Sequence, residues 1–371
     1  MRREEKQKIW GDGMKTLTAV VTDVQKIEYV EQDLPKLGEH ELLIRMDSVG
    51  LCHTDLPRFL GDHEFGISRE GYRQVRPVRF PCTLGHEPVG TVVETGKSVT
   101  RFRPGDRISG NFDAAFTTYR IIPENSPVLR LPKLPFDYRL CVAEPAGCVI
   151  NIVNACLQKP VRFAGVVGCG AMGLMTIAGL RAAGVKTIVA VDVSEDRLAL
   201  AKLYGASHAV NSGKEDLVGR VYELTNGQFL DSIVEITGSL KGLQSACSVI
   251  RFPREKGLLH NPFIKRGRIV TASVYTRQEV FPQILANELV LRAPILDAAH
   301  PASGKDVLEN DKKGVEAMIT GAIPMNRMIT HEILFSRLEE GFRWLLKPPE
   351  GYLKGIVLFG ETASGQKGSE P

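Results

Sequence analysis

A six-residue stretch, Gly168-Cys169-Gly170-Ala171-Met172-Gly173, carries three glycines at the spacing G-x-G-x-x-G. Alone such a match is weak, because glycines often only make turns. Here the β-prone run Arg162-Phe163-Ala164-Gly165-Val166-Val167 precedes it and a helical pattern, Ala171 to Ala183, follows. In that setting the glycines permit a tight turn and close backbone approach to a pyrophosphate, whose charge rests at the helix N-terminus. An acidic partner is expected about 20 residues on, at the end of the next strand. Asp192 stands there, after Thr187-Ile188-Val189-Ala190-Val191. A carboxylate at that place accepts ribose hydroxyls and repels a 2′-phosphate, so the pattern predicts NAD rather than NADP. The competing reading of Asp192 is an acidic helix start, since Ser194 and Glu195 follow.

Upstream stand three groups suited to zinc: Cys52 in Gly50-Leu51-Cys52-His53-Thr54-Asp55, His86 in Gly85-His86-Glu87, and Glu144 in Ala143-Glu144-Pro145. Thiolate, imidazole and carboxylate make a workable three-ligand set that leaves a fourth position for water or substrate. Spacing alone does not establish it. A lone Cys is usually a small buried hydrophobe and a lone His a core or surface group.

The elements that must hold these residues change character along the chain. After a polar extension, residues 1–13, short strand-like runs separated by Gly, Pro and Asp dominate: Thr18-Ala19-Val20-Val21, Glu41 to Met46, Val89 to Glu94, Asp106 to Ile108 and Thr118 to Ile122. From residue 146 a linking helix leads into alternating strands and helices, the pattern of a parallel sheet with crossovers. A helix follows Ser194, strands are expected at 232–235 and 268–272, and a last strand near 289–296 closes this part. An amphipathic stretch, Arg337 to Leu346, and a strand, Gly355 to Phe359, are expected to return to the first domain. The expectation is an α/β protein: a mostly β domain over 14–152 and 298–371, and a doubly wound parallel-sheet domain over 153–297.

Composition excludes other classes. The net charge of +4 on 371 residues gives no nucleic-acid surface. The seven cysteines contain no CxxC pair, which argues against a disulfide framework. No apolar run follows the basic N-terminus, and the run near 163–185 is broken by Arg181 and glycines. No signal peptide or membrane span is expected, and the protein is read as cytoplasmic.

The segments Gly50-Leu51-Cys52-His53-Thr54-Asp55, Gly85-His86-Glu87-Pro88-Val89-Gly90, Pro104-Gly105-Asp106-Arg107-Ile108 and the glycine turn stand in the order of one family. Together, from about Met14 to about Gly360, they resemble the zinc-containing medium-chain dehydrogenases, which act on alcohols, polyols and sugars. The resemblance implies a GroES-like catalytic domain, a Rossmann domain and a cleft between them. It matches Cys52 and His86 to zinc ligands and Glu144 to the Glu-Pro ligand of the polyol and sugar branch, with Cys148 the rival. Glu87 matches a carboxylate that approaches the metal directly or through water, and Asp55 one that orients a ligand. Thr54 matches the hydroxyl that meets the reacting alcohol oxygen, although Thr54 and Asp55 would also start a helix well. His53 and Lys354 match pyrophosphate contacts, and Arg197 an adenosine-ribose contact.

The sequence also departs from the family. The four-cysteine lobe that binds a structural zinc is missing after Gly105-Asp106-Arg107-Ile108, which predicts one catalytic zinc per chain and no structural one. Pro57 takes the place of the alcohol branch's proton-relay histidine. Residues 61–80 and 251–266 read as inserted long loops, the first a candidate cover for a polar substrate. The implied activity is reversible hydride transfer between NAD and a secondary alcohol, most consistent with a polyol, sugar or cyclitol, in a homodimer or homotetramer. The alternatives are a zinc-free NAD(P)H-dependent reductase of the same fold and a non-catalytic cofactor-binding protein.

Overall fold

The computed structural model describes residues 13–67, 73–252, 266–273, 289, 292, 294–299 and 304–360. The chain divides into two compact units, Met1–Glu144 with Met325–Pro371, and Pro145–Pro324. The sequence places the breaks at 152/153 and 297/298 instead. The later second break reflects the helix Gly304–Thr320. A Cβ on its Gly314 would meet the carbonyl carbon of Ala146 at 2.8 Å, so the helix packs tightly on the start of the second unit.

In the first unit run β1 (Lys15–Asp23), β2 (Lys26–Asp33), β3 (Glu41–Gly50), β4 (His63–Ile67), β5 (Arg73–Pro77), β6 (Cys82–Thr83), β7 (Pro88–Thr95), β8 (Arg107–Gly110), β9 (Tyr119–Pro123) and β10 (Val128–Arg130). The second unit holds β11 (Phe163–Val167), β12 (Thr187–Asp192), β13 (His208–Asn211), β14 (Ser232–Glu235), β15 (Arg268–Thr271) and β16 (Ile295–Ala298). Two more, β17 (Ile329–Leu334) and β18 (Lys354–Leu358), return to the first unit.

The larger sheet of the first unit has the order β10-β8-β7-β3-β18-β17, with β9 also on β3. All five residues of β18 are buried, because β3 and β17 flank it and both faces are covered. On the sheet, Phe342 of the helix Leu338–Leu346 packs against Phe59 and Phe116, with ring centroids 5.0 and 5.8 Å away. Phe59 belongs to the short helix Leu56–Leu60, so this contact fixes the chain just after Cys52. Each such buried ring contributes about 1.5–3 kcal/mol of apolar transfer.

Where a long loop was expected at 61–80, β4 and β5 form an antiparallel hairpin from the pair His63↔Pro77 to Ile67↔Arg73. The alternation in His63-Glu64-Phe65-Gly66-Ile67 is a strand pattern that charge-rich composition obscured. Arg69 and Tyr72, and residues 253–265 of the second insertion, lie outside the described residues.

The six strands of the second unit are all parallel, in the order β13-β12-β11-β14-β15-β16. Counted from β11 this is 3-2-1-4-5-6, the doubly wound arrangement whose strand order reverses between β11 and β14. Val189, Val191, Val210, Ile233 and Ile269 form a fully buried core there. The closing strand is Ile295–Ala298, later than the expected 289–296, and Leu289 is helical. Four-residue β13 escaped the sequence reading because His-Ala-Val-Asn is too short to show alternation. Among the described residues, no helix is long and apolar enough to cross a membrane.

Candidate active site

β3 ends at Gly50 and the chain turns at Leu51, whose N–H donates to the Gly355 carbonyl at 3.0 Å. Cys52 follows, then one turn of 3-10 helix, His53–Asp55. The segment Gly85-His86-Glu87 lies alongside, just before β7 begins at Pro88. Its register is held by the Gly50 N–H, which donates to the Glu87 carbonyl at 3.0 Å. Gly50 leaves the room in which the Glu87 carboxylate lies: a Cβ there would be 1.9 Å from its Oε2, so a larger residue would displace that side chain.

The ligating atoms of Cys52, His86 and Glu87 all lie within 4.8 Å of one another. Asp55 is buried, its Oδ1 accepts the Gly85 N–H at 3.2 Å, and its Oδ2 is 3.4 Å from Nδ1 of His86. A proton held on Nδ1 toward Asp55 aims Nε2 at the cluster, the outer carboxylate arrangement that orients a metal-binding imidazole. Thr54 Oγ1 sits 3.2 Å from both Cys52 Sγ and His86 Nε2. With no metal bound, burial disfavours the imidazolium, yet the hydrogen bonds to Asp55 and Cys52 overcome it and push the His86 pKa up to about 12. A divalent cation bound here takes the place of the proton on His86, and the sulfur, nitrogen and oxygen donor set of Cys52, His86 and Glu87 fits zinc.

Lys354 opens β18 and therefore enters the interior. It is 7% exposed, and its Nζ lies 2.7 and 2.9 Å from the two oxygens of Glu87 and donates to the Leu51 carbonyl at 3.0 Å. Burial opposes the ammonium, but the charges of Glu87 and Cys52 outweigh it and raise the pKa above its usual value. The structure thus places Lys354 in the ligand cluster, in a buried ion pair that the pyrophosphate expectation did not include. His53 keeps an exposed edge, while desolvation by packed neighbours and the Lys354 charge hold its pKa below the usual range. Glu144 is not in the cluster. It lies in the first turn of the helix Ala143–Cys156, with Cys148 one turn on and on the same face.

In the second unit the glycine turn follows β11 and opens the helix Ala171–Ala182. Gly168 has φ +98°, and a Cβ on Gly173 would lie 1.9 Å from the Gly168 carbonyl oxygen. Around Gly170 a Cβ would meet nothing within 4 Å, and no side chain caps the helix. Backbone N–H groups at an uncapped N-terminus, with open space before them, fit a pyrophosphate. Asp192 does more than expected. One oxygen accepts the Cys169 N–H at 2.7 Å and the other accepts those of Val193 and Ser194 at 2.7 and 2.9 Å. The carboxylate thereby fastens the turn to the end of β12. Arg197 is half-buried, close enough for its charge to act on the Cys169 thiol, which burial pushes up to about 12.

Two family models match this chain: an alcohol dehydrogenase GroES-like domain over residues 38–133 and a zinc-binding dehydrogenase domain over 171–253. A Pyrococcus furiosus L-threonine 3-dehydrogenase is 30% identical over 254 residues, covering 60% of this chain and 69% of the relative. A Bacillus subtilis sorbitol dehydrogenase is 25% identical over 337 residues, 80% of this chain and 92% of the relative. The crystal structure of a Bacillus subtilis 2R,3R-butanediol dehydrogenase shares the fold, with a TM-score of 0.73 and 23% identity over 93% of this chain and 100% of that one. The chain belongs to the zinc-containing medium-chain dehydrogenase family, a family of oxidoreductases.

Proposed function

We propose that this protein is a zinc- and NAD-dependent dehydrogenase of a polar secondary alcohol, a polyol, sugar or cyclitol. The observation that carries the reading is the convergence of Cys52, His86 and Glu87, with Thr54 against the first two and Asp55 behind the imidazole. Cys52 and His86 hold the metal. Both Glu87 oxygens face the Lys354 ammonium, which favours Glu144 as the third ligand, with Cys148 its rival on the same helix face. Zinc, when bound there, supplies a Lewis acid that favours the ionised alcohol. Thr54 Oγ1 receives the substrate's hydroxyl proton, and its exposed position allows transfer on to water, since Pro57 offers no ring donor or acceptor.

On the cofactor side, the N–H groups after Gly170 bind the pyrophosphate. Asp192 supports NAD over NADP by placing negative charge where a 2′-phosphate would lie, with Arg197 as the ribose contact. The relatives' names, a threonine, a sorbitol and a butanediol dehydrogenase, each denote a substrate with more than one functional group, which supports a polar substrate. None of the seven cysteines forms a disulfide, which suits a reducing cytoplasm. Edge strand β16, with Leu296 exposed, is the expected contact of a homodimer or homotetramer.

The test is metal stoichiometry together with oxidation of a polyol panel. One zinc per chain and NAD-linked turnover, falling about 1000-fold in Cys52→Ser, are expected from the several kcal/mol of charge stabilisation a metal provides. An active metal-free enzyme would establish the reductase alternative. NAD binding without any turnover would establish the non-catalytic one.

A further inference from the structure

Ser109 is fully buried in β8, opposite Val89 of β7. Its hydroxyl donates to the Pro88 carbonyl and accepts the Ala143 N–H, both at 2.9 Å. Those partners adjoin two candidate ligand segments: Pro88 follows His86-Glu87, and Ala143 precedes Glu144. The Ala143 N–H is one of the orphan donors of a helix's first turn, and Pro145 lacks an N–H altogether. The hydroxyl therefore ties the start of the Glu144 helix to the strand leaving His86. On the same approach, Ser48 Oγ donates to the Arg139 carbonyl at 2.6 Å. Residues 141–143 between these ties are buried, so the chain entering the helix is held from both sides.

We propose that Ser109 is a positioning residue of the metal site, setting the place of Glu144 relative to Cys52 and His86. The inference rests on the reading of Glu144 as the third ligand. A hydroxyl is required because one atom must donate to Pro88 and accept from Ala143; alanine leaves both backbone groups buried and unmatched. Nothing in the glycine turn depends on Ser109, so cofactor binding is not expected to change.

The experiment measures zinc affinity of the full chain by chelator competition, and the visible spectrum of the cobalt-substituted protein, for Ser109→Ala, Glu144→Gln and the double variant. An affinity loss of about ten- to hundred-fold is expected for Ser109→Ala, as for other groups that orient ligands. An altered cobalt spectrum should accompany it, with no further loss when Ser109→Ala is added to Glu144→Gln. If Ser109→Ala does not fold, Ser109→Cys, similar in volume with a weak donor, is read the same way. Unchanged affinity and spectrum in the Ser109 variant, with Glu144→Gln impaired, overturns this inference alone. Equal losses from Ser109→Ala in both backgrounds also overturn it. Unimpaired metal binding in Glu144→Gln overturns the ligand reading beneath it.

Discussion

The two functional regions of this chain are built on opposite plans. The glycine turn is six consecutive residues whose working groups are backbone N–H, and its side chains matter chiefly by being absent. The ligand cluster draws side chains from two distant stretches, the end of β3 and the approach to β7, because several donors must converge on one small ion. Lys354 at the start of β18 holds one of them by an ion pair. A backbone site tolerates no added atom, whereas a side-chain site tolerates no lost partner. Substitutions should therefore fail differently in the two places.

The largest effect is expected at the buried ion pair. Lys354→Met leaves Glu87 buried without its counter-charge and should destabilise the protein by about 3–5 kcal/mol, read from the midpoint of denaturant unfolding. Adding Glu87→Gln should recover much of that loss. If Lys354→Met is instead as stable as the parent, the pair is not what holds β18 beside Leu51.

In the other region, Gly173→Ala places a methyl against the Gly168 carbonyl. NAD affinity should fall about 100-fold, by the 1–3 kcal/mol typical of overpacking, with zinc content unchanged. Gly170→Ala should weaken NAD less and leave thermal stability unaltered, since its methyl enters only the open space before the helix. Zinc loss in either variant would erase the separation between the two plans.

Acid should act on one region only. In the metal-free protein the folded His86 pKa is raised to about 12, so the stabilisation by its bound proton is complete below the imidazole's ordinary 6.5. It declines as pH rises through the folded value. Zinc must displace that proton, so zinc affinity should fall about tenfold per unit as pH drops from 8 to 7, measured by chelator competition. NAD binding should stay nearly flat over that interval.

The smallest effect is expected at Asp192. Asp192→Asn removes the charge and keeps only one of the two acceptor oxygens, so the preference for NAD over NADP should narrow about tenfold in the ratio of kcat/KM. An unchanged ratio would mean that Asp192 serves only to fasten the turn.

Much of this is legible in the sequence. The glycine turn, its strand and helix, and Asp192 were readable because a contiguous backbone motif leaves its spacing in the sequence. Cys52, His86, Thr54 and Asp55 were named through resemblance, since side chains that converge in space leave no spacing rule. The hairpin at β4 and β5 was read as a loop because its charged residues masked a short alternation. Resemblance matches Lys354 to a pyrophosphate contact and does not show its ion pair with Glu87. Nothing in Tyr352-Leu353-Lys354-Gly355 announces that the strand beginning there is central in its sheet.

The sequence by itself determined the change from a strand-rich part to alternating strands and helices, the glycine turn and the identity of the metal-capable side chains, because these follow from local pattern and residue chemistry. Tertiary structure decided which of those side chains meet. It joined Asp55 to His86, Lys354 to Glu87, Asp192 to the glycine turn, and Ser109 to both Pro88 and Ala143. Each is a contact between groups far apart in the chain, set by strand register and by which strand lies in the middle of the sheet, and no local pattern encodes either.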